Sequence, residues 1–192
     1  MSLICYYVRL QPEFVPALCP NPDAIFEEPP PDHLEVMDVD RAYEALAWLA
    51  SPLKRAEAAH MARLIREPDW PDEDADESVA QLDAMALGEA VAAIEGRATE
   101  RIEAINFGPG AAGFFPPQRV RALSATMNKL SEAELRARLD FKVMDENDVV
   151  PGYWQEEGED IFLSYVMPAF GRLRRFYASA AANGDAVIVA WT

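Results

Sequence analysis

The run Ala186-Val187-Ile188-Val189-Ala190-Trp191 near the C-terminus holds six residues without one polar side chain. Such a run reads as a buried strand, because a half-exposed strand would alternate apolar with polar residues. Asn183-Gly184 just ahead of it supplies a left-handed helix end, so a long helix is expected to lead into that strand. A β-branched and aromatic stretch also opens the chain, from Ser2 to Leu10, and Gln11-Pro12 closes it. Strands at both ends with helical segments between them predict an α+β fold. The expected form is one compact domain over 1–192, in which a small mixed sheet uses the N- and C-terminal strands and packs with several helices. With 51% hydrophobic residues in 192, the chain can fill one core.

The segments between the ends carry their own signals. A short helical turn follows Pro12 and is limited by Pro16. Five prolines between Cys19 and His33 suggest an exposed, extended loop at 20–33. Asp38 or Asp40 is the expected N-cap of a helix reaching Ser51, and further helices are expected over 53–67 and 79–94, with Gly96 past the last. Residues 101–107 and 113–115 read as short strands around a glycine-rich loop. Pro117 opens a helix with Val120, Leu123, Met127 and Leu130 on its apolar stripe. Ser131-Glu132-Ala133-Glu134 is a capping-box pattern. The longest helix should run from Glu157 to Ala182, broken at Pro168, which has no N–H for the ladder.

Charge narrows the range of partners. There are 17 Lys and Arg against 33 Asp and Glu, a formal charge of −16. Phosphate binding needs a clustered basic face, and so does docking on an anionic leaflet, so neither nucleic acid nor a membrane surface is an expected partner. Residues 1–100 hold 7 basic and 21 acidic side chains, whereas residues 101–192 hold 10 and 12. The acidity is densest in the loop at 67–78, where Asp69, Asp72, Glu73, Asp74, Asp76 and Glu77 form a candidate interaction patch for a basic protein. No run reaches the roughly 18 apolar residues of a spanning helix, and Leu3 to Val8 is too short for an export signal. A cytoplasmic location is expected.

Catalytic patterns are sparse. Gly108-Pro109-Gly110-Ala111-Ala112-Gly113 satisfies G-x-G-x-x-G, but Phe114-Phe115-Pro116-Pro117 intervenes before any helix can begin, and a dinucleotide loop needs a helix N-terminus inside the motif. Asp72, Asp74, Asp76 and Asp83 fall at calcium-loop positions, yet Glu77 stands where that loop turns on glycine. The two histidines, His33 and His60, have no evident partner, and no serine lies in a nucleophile elbow. The acid pairs Asp38/Asp40 and Glu156/Asp160 fit helix starts as well as acid–base work. Cys5 and Cys19 read as indifferent thiols. No cofactor or metal site is expected.

One resemblance runs through most of these segments. Phe107-Gly108-Pro109, Pro117-Gln118-Arg119-Val120, Leu130 to Leu135, Pro151 with Trp154, Leu173, Phe176-Tyr177 and Gly184-Asp185-Ala186-Val187 carry it. So do Met1 to Ile4 with Tyr7 and Arg9, Asp38 to Ala42, and Leu87-Gly88. In order and spacing they resemble the YfbM-like family of uncharacterised bacterial proteins. The resemblance implies a single α+β domain in a bacterial cytosol, and it carries over no reaction, cofactor or catalytic residue. Where relatives place Trp-His and a second His in the first long helix, this chain has Tyr43-Glu44 and Ala47.

The leading expectation is therefore a non-enzymatic interaction domain that binds a basic protein through an acidic face. Immunity-type masking of a basic toxin is one version. The alternative is a small-molecule-binding domain or unrecognised enzyme, with a pocket near the 107–115 loop. Phe107, Gly108, Gly110 and Phe115 would line it together with Tyr153 and Trp154.

Overall fold

A computed structural model describes residues 4–54, 88–108 and 110–192. Its centre is a five-stranded sheet in the order β2-β1-β5-β4-β3, formed by β1 (Cys5–Leu10), β2 (Glu35–Asp38), β3 (Glu100–Asn106), β4 (Ala111–Phe115) and β5 (Ala186–Trp191). Every pairing is antiparallel, so the sheet is antiparallel throughout where the sequence suggested a mixed one. The apolar C-terminal run is the central strand. It pairs with β1 over its whole length, from Cys5 opposite Trp191 to Leu10 opposite Ala186, and with β4 on its other side.

Because β5 is apolar at every position, both faces of the sheet need cover. On one face Cys5, Tyr7, Phe115, Val187 and Val189 pack against helices α2 (Ala42–Ala50), α3 (Glu89–Glu95), α4 (Pro117–Met127), α5 (Glu132–Arg136), α6 (Phe141–Glu146), α7 (Trp154–Ile161) and α8 (Met167–Asn183). On the other face Val8, Leu10, Ala112, Ile188 and Ala190 are covered by residues 12–34. That segment holds a 3₁₀ turn at Pro12–Phe14, the short helix α1 (Val15–Leu18) and a 3₁₀ helix at Pro22–Phe26, each with proline in its first turn, and it buries Leu18, Ala24, Ile25 and Leu34. Residues 12–34 are thus a lid on the sheet; most of the proline-rich stretch within it is exposed, and Ala24 and Ile25 are its buried residues. β2, absent from the sequence reading, is the edge strand this lid leads into.

The local signals at helix ends mostly act as read. Pro117 opens α4, the capping box at Ser131 and Glu134 forms in both directions, and Gly96 (φ 61°) and Gly184 (φ 74°) end α3 and α8 in the left-handed conformation. The expected Asp38 or Asp40 cap does not form. Arg41 holds the N-cap position of α2, and the Asp38 carboxylate accepts instead from the Asp40 N–H (2.9 Å), a local turn that competes with capping. The long C-terminal helix breaks ahead of Pro168. Phe162–Val166 forms a π turn between α7 and α8, which accommodates the carbonyl that proline cannot serve. Two buried tyrosines tie the end of α3 to the core, Tyr7 donating to the Ile94 carbonyl and Tyr177 to that of Ala93 (2.9 Å).

The helices expected over 53–67 and most of 79–94, and the acidic loop at 67–78, lie outside the described residues.

Candidate functional site

A depression of about 510 Å³ opens where the start of α2 meets the segment joining α6 to α7. Arg41 lines one side. Asp145, Asp148, Pro151, Tyr153 and Glu156 are among the residues lining the other. The backbone here is unusual. Among the described residues three non-glycine positions have φ in the left-handed region: Asp40 (49°), Asp148 (52°) and Tyr153 (59°). The last two line the cleft, and Asp40 immediately precedes Arg41. For residues with a Cβ this region costs on the order of 1–2 kcal/mol each, somewhat less for aspartate, and it persists only where the surroundings enforce it.

Those surroundings are polar cross-ties. The Tyr165 hydroxyl donates to Asp40 Oδ2 (2.9 Å) and accepts from the Arg41 N–H (3.1 Å), fixing the entry to α2. Tyr165 stands in the π turn, so that irregularity supplies a tie to the cleft. Burial, and then its bond to Asp40, push the Tyr165 hydroxyl up to about 12. Glu44, one turn into α2, accepts from the Val150 N–H, and burial raises its carboxyl above the ordinary value. On the opposite wall the Asp145 carboxylate accepts from the N–H groups of Trp154 (2.7 Å) and Gln155 (2.9 Å). It thereby satisfies the open donors at the start of α7, and those bonds, Gln155 first, hold it below its ordinary value.

The structure separates the pocket residues expected from sequence. Tyr153 is 71% exposed at the cleft, whereas its neighbour Trp154 is wholly buried, donating its indole N–H to the Val149 carbonyl (2.6 Å) and stacking parallel to Phe141. Phe115 belongs to the core under the helices. Phe107 lies under the lid on the opposite face, edge-on to Phe26 at 4.8 Å. Gly108 and Gly110 turn the chain from β3 to β4, and no helix begins within their motif. Gly110 lines a different depression beside Trp191, where the carboxylate of Glu95 is held by Lys54 and Arg97 at 2.6 Å each. The 107–115 loop and Tyr153 therefore do not share one pocket. Asp69, Asp72, Glu73, Asp74, Asp76 and Glu77 lie outside the described residues. Burial pushes the Cys5 thiol up to about 12, the reverse of a reactive thiolate. Among the described residues no group of three or more His, Cys, Asp or Glu is placed to hold a metal ion, and no helix is long and apolar enough to cross a membrane.

A family model described as a domain of unknown function, DUF1877, matches residues 1–190. The chain belongs to the DUF1877 family. Its fold is similar to that of YfbM from Escherichia coli, a protein of unknown function known from a crystal structure. The TM-score is 0.62 at 17% identity, over 97% of this chain and 98% of that one. A search of curated proteins finds no match. For this DUF1877 chain the family assignment brings no reaction with it, so the cleft rests on its own geometry. Sequence reasoning reached Tyr153 for its ring but missed Arg41, Asp145, Asp148 and Tyr165. The one local signal was Pro151-Gly152, a turn dipeptide directly before an aromatic pair.

Proposed function

We propose that the protein is a ligand-binding domain whose site is the cleft between the start of α2 and residues 145–156. The observation that carries this reading is the concentration of left-handed non-glycine residues around one depression. Conformational cost held at one place, and tied down by Tyr165, Glu44 and Asp145, is how folds present side chains in a fixed arrangement for binding. Soaking crystals with a chemically mixed fragment set tests it. Fragments should gather on Tyr153 and Arg41; a set that instead collects beside Trp191 and Glu95 would move the site to that depression.

A second reading, an interaction domain for a basic protein, is favoured by the lid. Residues 11–40 carry eight acids, Glu13, Asp23, Glu27, Glu28, Asp32, Glu35, Asp38 and Asp40, all exposed, and no Lys or Arg. Such a surface speeds and orients the approach of a basic partner, and immunity-type masking would be one use of it. A photo-crosslinking residue at Phe26, which is 40% exposed on the lid, should then capture a basic polypeptide in cells. Capture of only neutral or acidic polypeptides would refute this reading.

A further inference from the structure

The charges lining the cleft define the chemistry of what it takes. Arg41 is half-buried and forms no ion pair among the described residues. In the same depression, Asp148 and Glu156 also form no ion pair among the described residues, while both oxygens of Asp145 are already engaged by the start of α7. One cation and two carboxylates without an ion-pair partner among the described residues thus share a depression of about 510 Å³ with the engaged carboxylate of Asp145. A simple anion placed at Arg41 would meet two carboxylates, and a simple cation placed among the carboxylates would meet Arg41. A molecule bearing both charges satisfies all three groups, with its carboxylate toward Arg41 and its cationic groups toward Asp148 and Glu156. The exposed Tyr153 ring adds a face for a guanidinium or ammonium, and Val150 and Pro151 add an apolar surface for the methylenes between the charges. The volume is in the range of small-molecule sites.

We infer that the cleft binds a small zwitterion with an excess of positive charge, for which the basic α-amino acids are the simplest examples. This rests on the binding-domain reading above and names its ligand class. The test is a titration of the ¹⁵N-labelled protein with arginine, lysine, leucine and glutamate, together with agmatine, which lacks the carboxylate, and Nα-acetylarginine, which lacks the α-ammonium. Arginine or lysine should shift the amides of Gly152, Tyr153 and Gln155, with leucine weaker and glutamate weakest. Loss of either charge should weaken binding about tenfold or more. In Arg41→Met, checked for an unchanged fold by its spectrum, agmatine should bind as well as arginine, because the carboxylate has lost its partner. Agmatine equal to arginine on the unmodified protein would overturn the zwitterion and leave the cleft standing as a site. No shift at those amides with any of the six compounds up to about 10 mM, near the weak limit of specific binding, would overturn both.

Discussion

Gly96 is the position at which one added methyl group should do most damage. It ends α3 at φ +61°, and a Cβ built there would lie 2.5 Å from Val189 Cγ1 and 2.6 Å from Val189 Cβ. Val189 is fully buried in the central strand, so it has no room to withdraw. The helix end cannot withdraw either, because Tyr7 and Tyr177 hold the carbonyls of Ile94 and Ala93. Gly96→Ala therefore combines a left-handed backbone cost of about 1–2 kcal/mol with an overpacking cost of about 1–3 kcal/mol, roughly 2–5 kcal/mol together. Against a domain stability of about 5–15 kcal/mol this is a large fraction. Gly184→Ala is the control. Its φ is +74°, but its Cβ would meet nothing within 4 Å, so only the backbone cost of about 1–2 kcal/mol applies. Urea unfolding of the two variants isolates the clash as the difference in midpoint at constant slope. Val189→Ala in the Gly96→Ala background should cost less than the two single changes added together, since it removes the 2.5 Å contact with Cγ1, although the 2.6 Å contact with Cβ remains. If Gly96→Ala unfolds no earlier than Gly184→Ala, the close approach of α3 to the sheet is wrong.

Three further changes probe the cleft. Tyr165→Phe removes both the donor to Asp40 and the acceptor for Arg41, and at this half-buried site it should cost roughly 1 kcal/mol, read as a lower Tm with amide shifts centred on Arg41. Burial raises the Glu44 carboxyl above 4.5, so the folded chain binds that proton more tightly than the unfolded one. The stability this contributes is present in acid and is lost as pH rises through the raised value. Glu44→Gln keeps an acceptor for Val150 and removes the charge, so its stability relative to the unmodified protein should improve as pH rises, measured by Tm across that window. Asp145 is displaced the other way. Its contribution is present above 3.8 and is lost as pH falls through the lowered value, so Asp145→Asn should lower Tm at neutral pH and make no difference in strong acid.

How far the sequence could be read follows from where each residue type leaves a mark. β5 and β1 were legible because an unbroken apolar run and a β-branched one constrain burial directly. Pro117, Ser131 with Glu134, and Gly184 were legible because each has a mechanism confined to a few neighbours. β2 was not, since Glu35-Val36-Met37-Asp38 is an edge strand of four residues with acids at both ends, and only pairing with β1 makes it a strand. α6 was also missed: its start is fixed by Asp140 accepting from the Val143 N–H, in a stretch with little periodicity to announce it. The cleft was hidden for a different reason. A left-handed φ is advertised by glycine and asparagine, and here it falls on two aspartates and a tyrosine, enforced by hydroxyl and carboxylate ties that span up to 125 positions in sequence.

The acidic lid and the cleft differ in what folding demands of them. The lid is held down by Leu18, Ala24, Ile25 and Leu34, which the apolar second face of β5 requires. Once those side chains face the sheet, the charged residues of the segment have only the outer surface left, whatever their role. The exposure of its five acids, Glu13, Asp23, Glu27, Glu28 and Asp32, is thus a consequence of covering the sheet, and what covering does not account for is only the lack of any Lys or Arg among its charged residues. The cleft differs in kind. Nothing in covering the sheet requires Tyr153 to adopt a left-handed backbone while most of its ring stays in solvent, nor Arg41 to face two carboxylates without pairing. Features that folding does not explain and that cost free energy point more strongly to function than features folding would produce anyway, which places the cleft ahead of the acidic face.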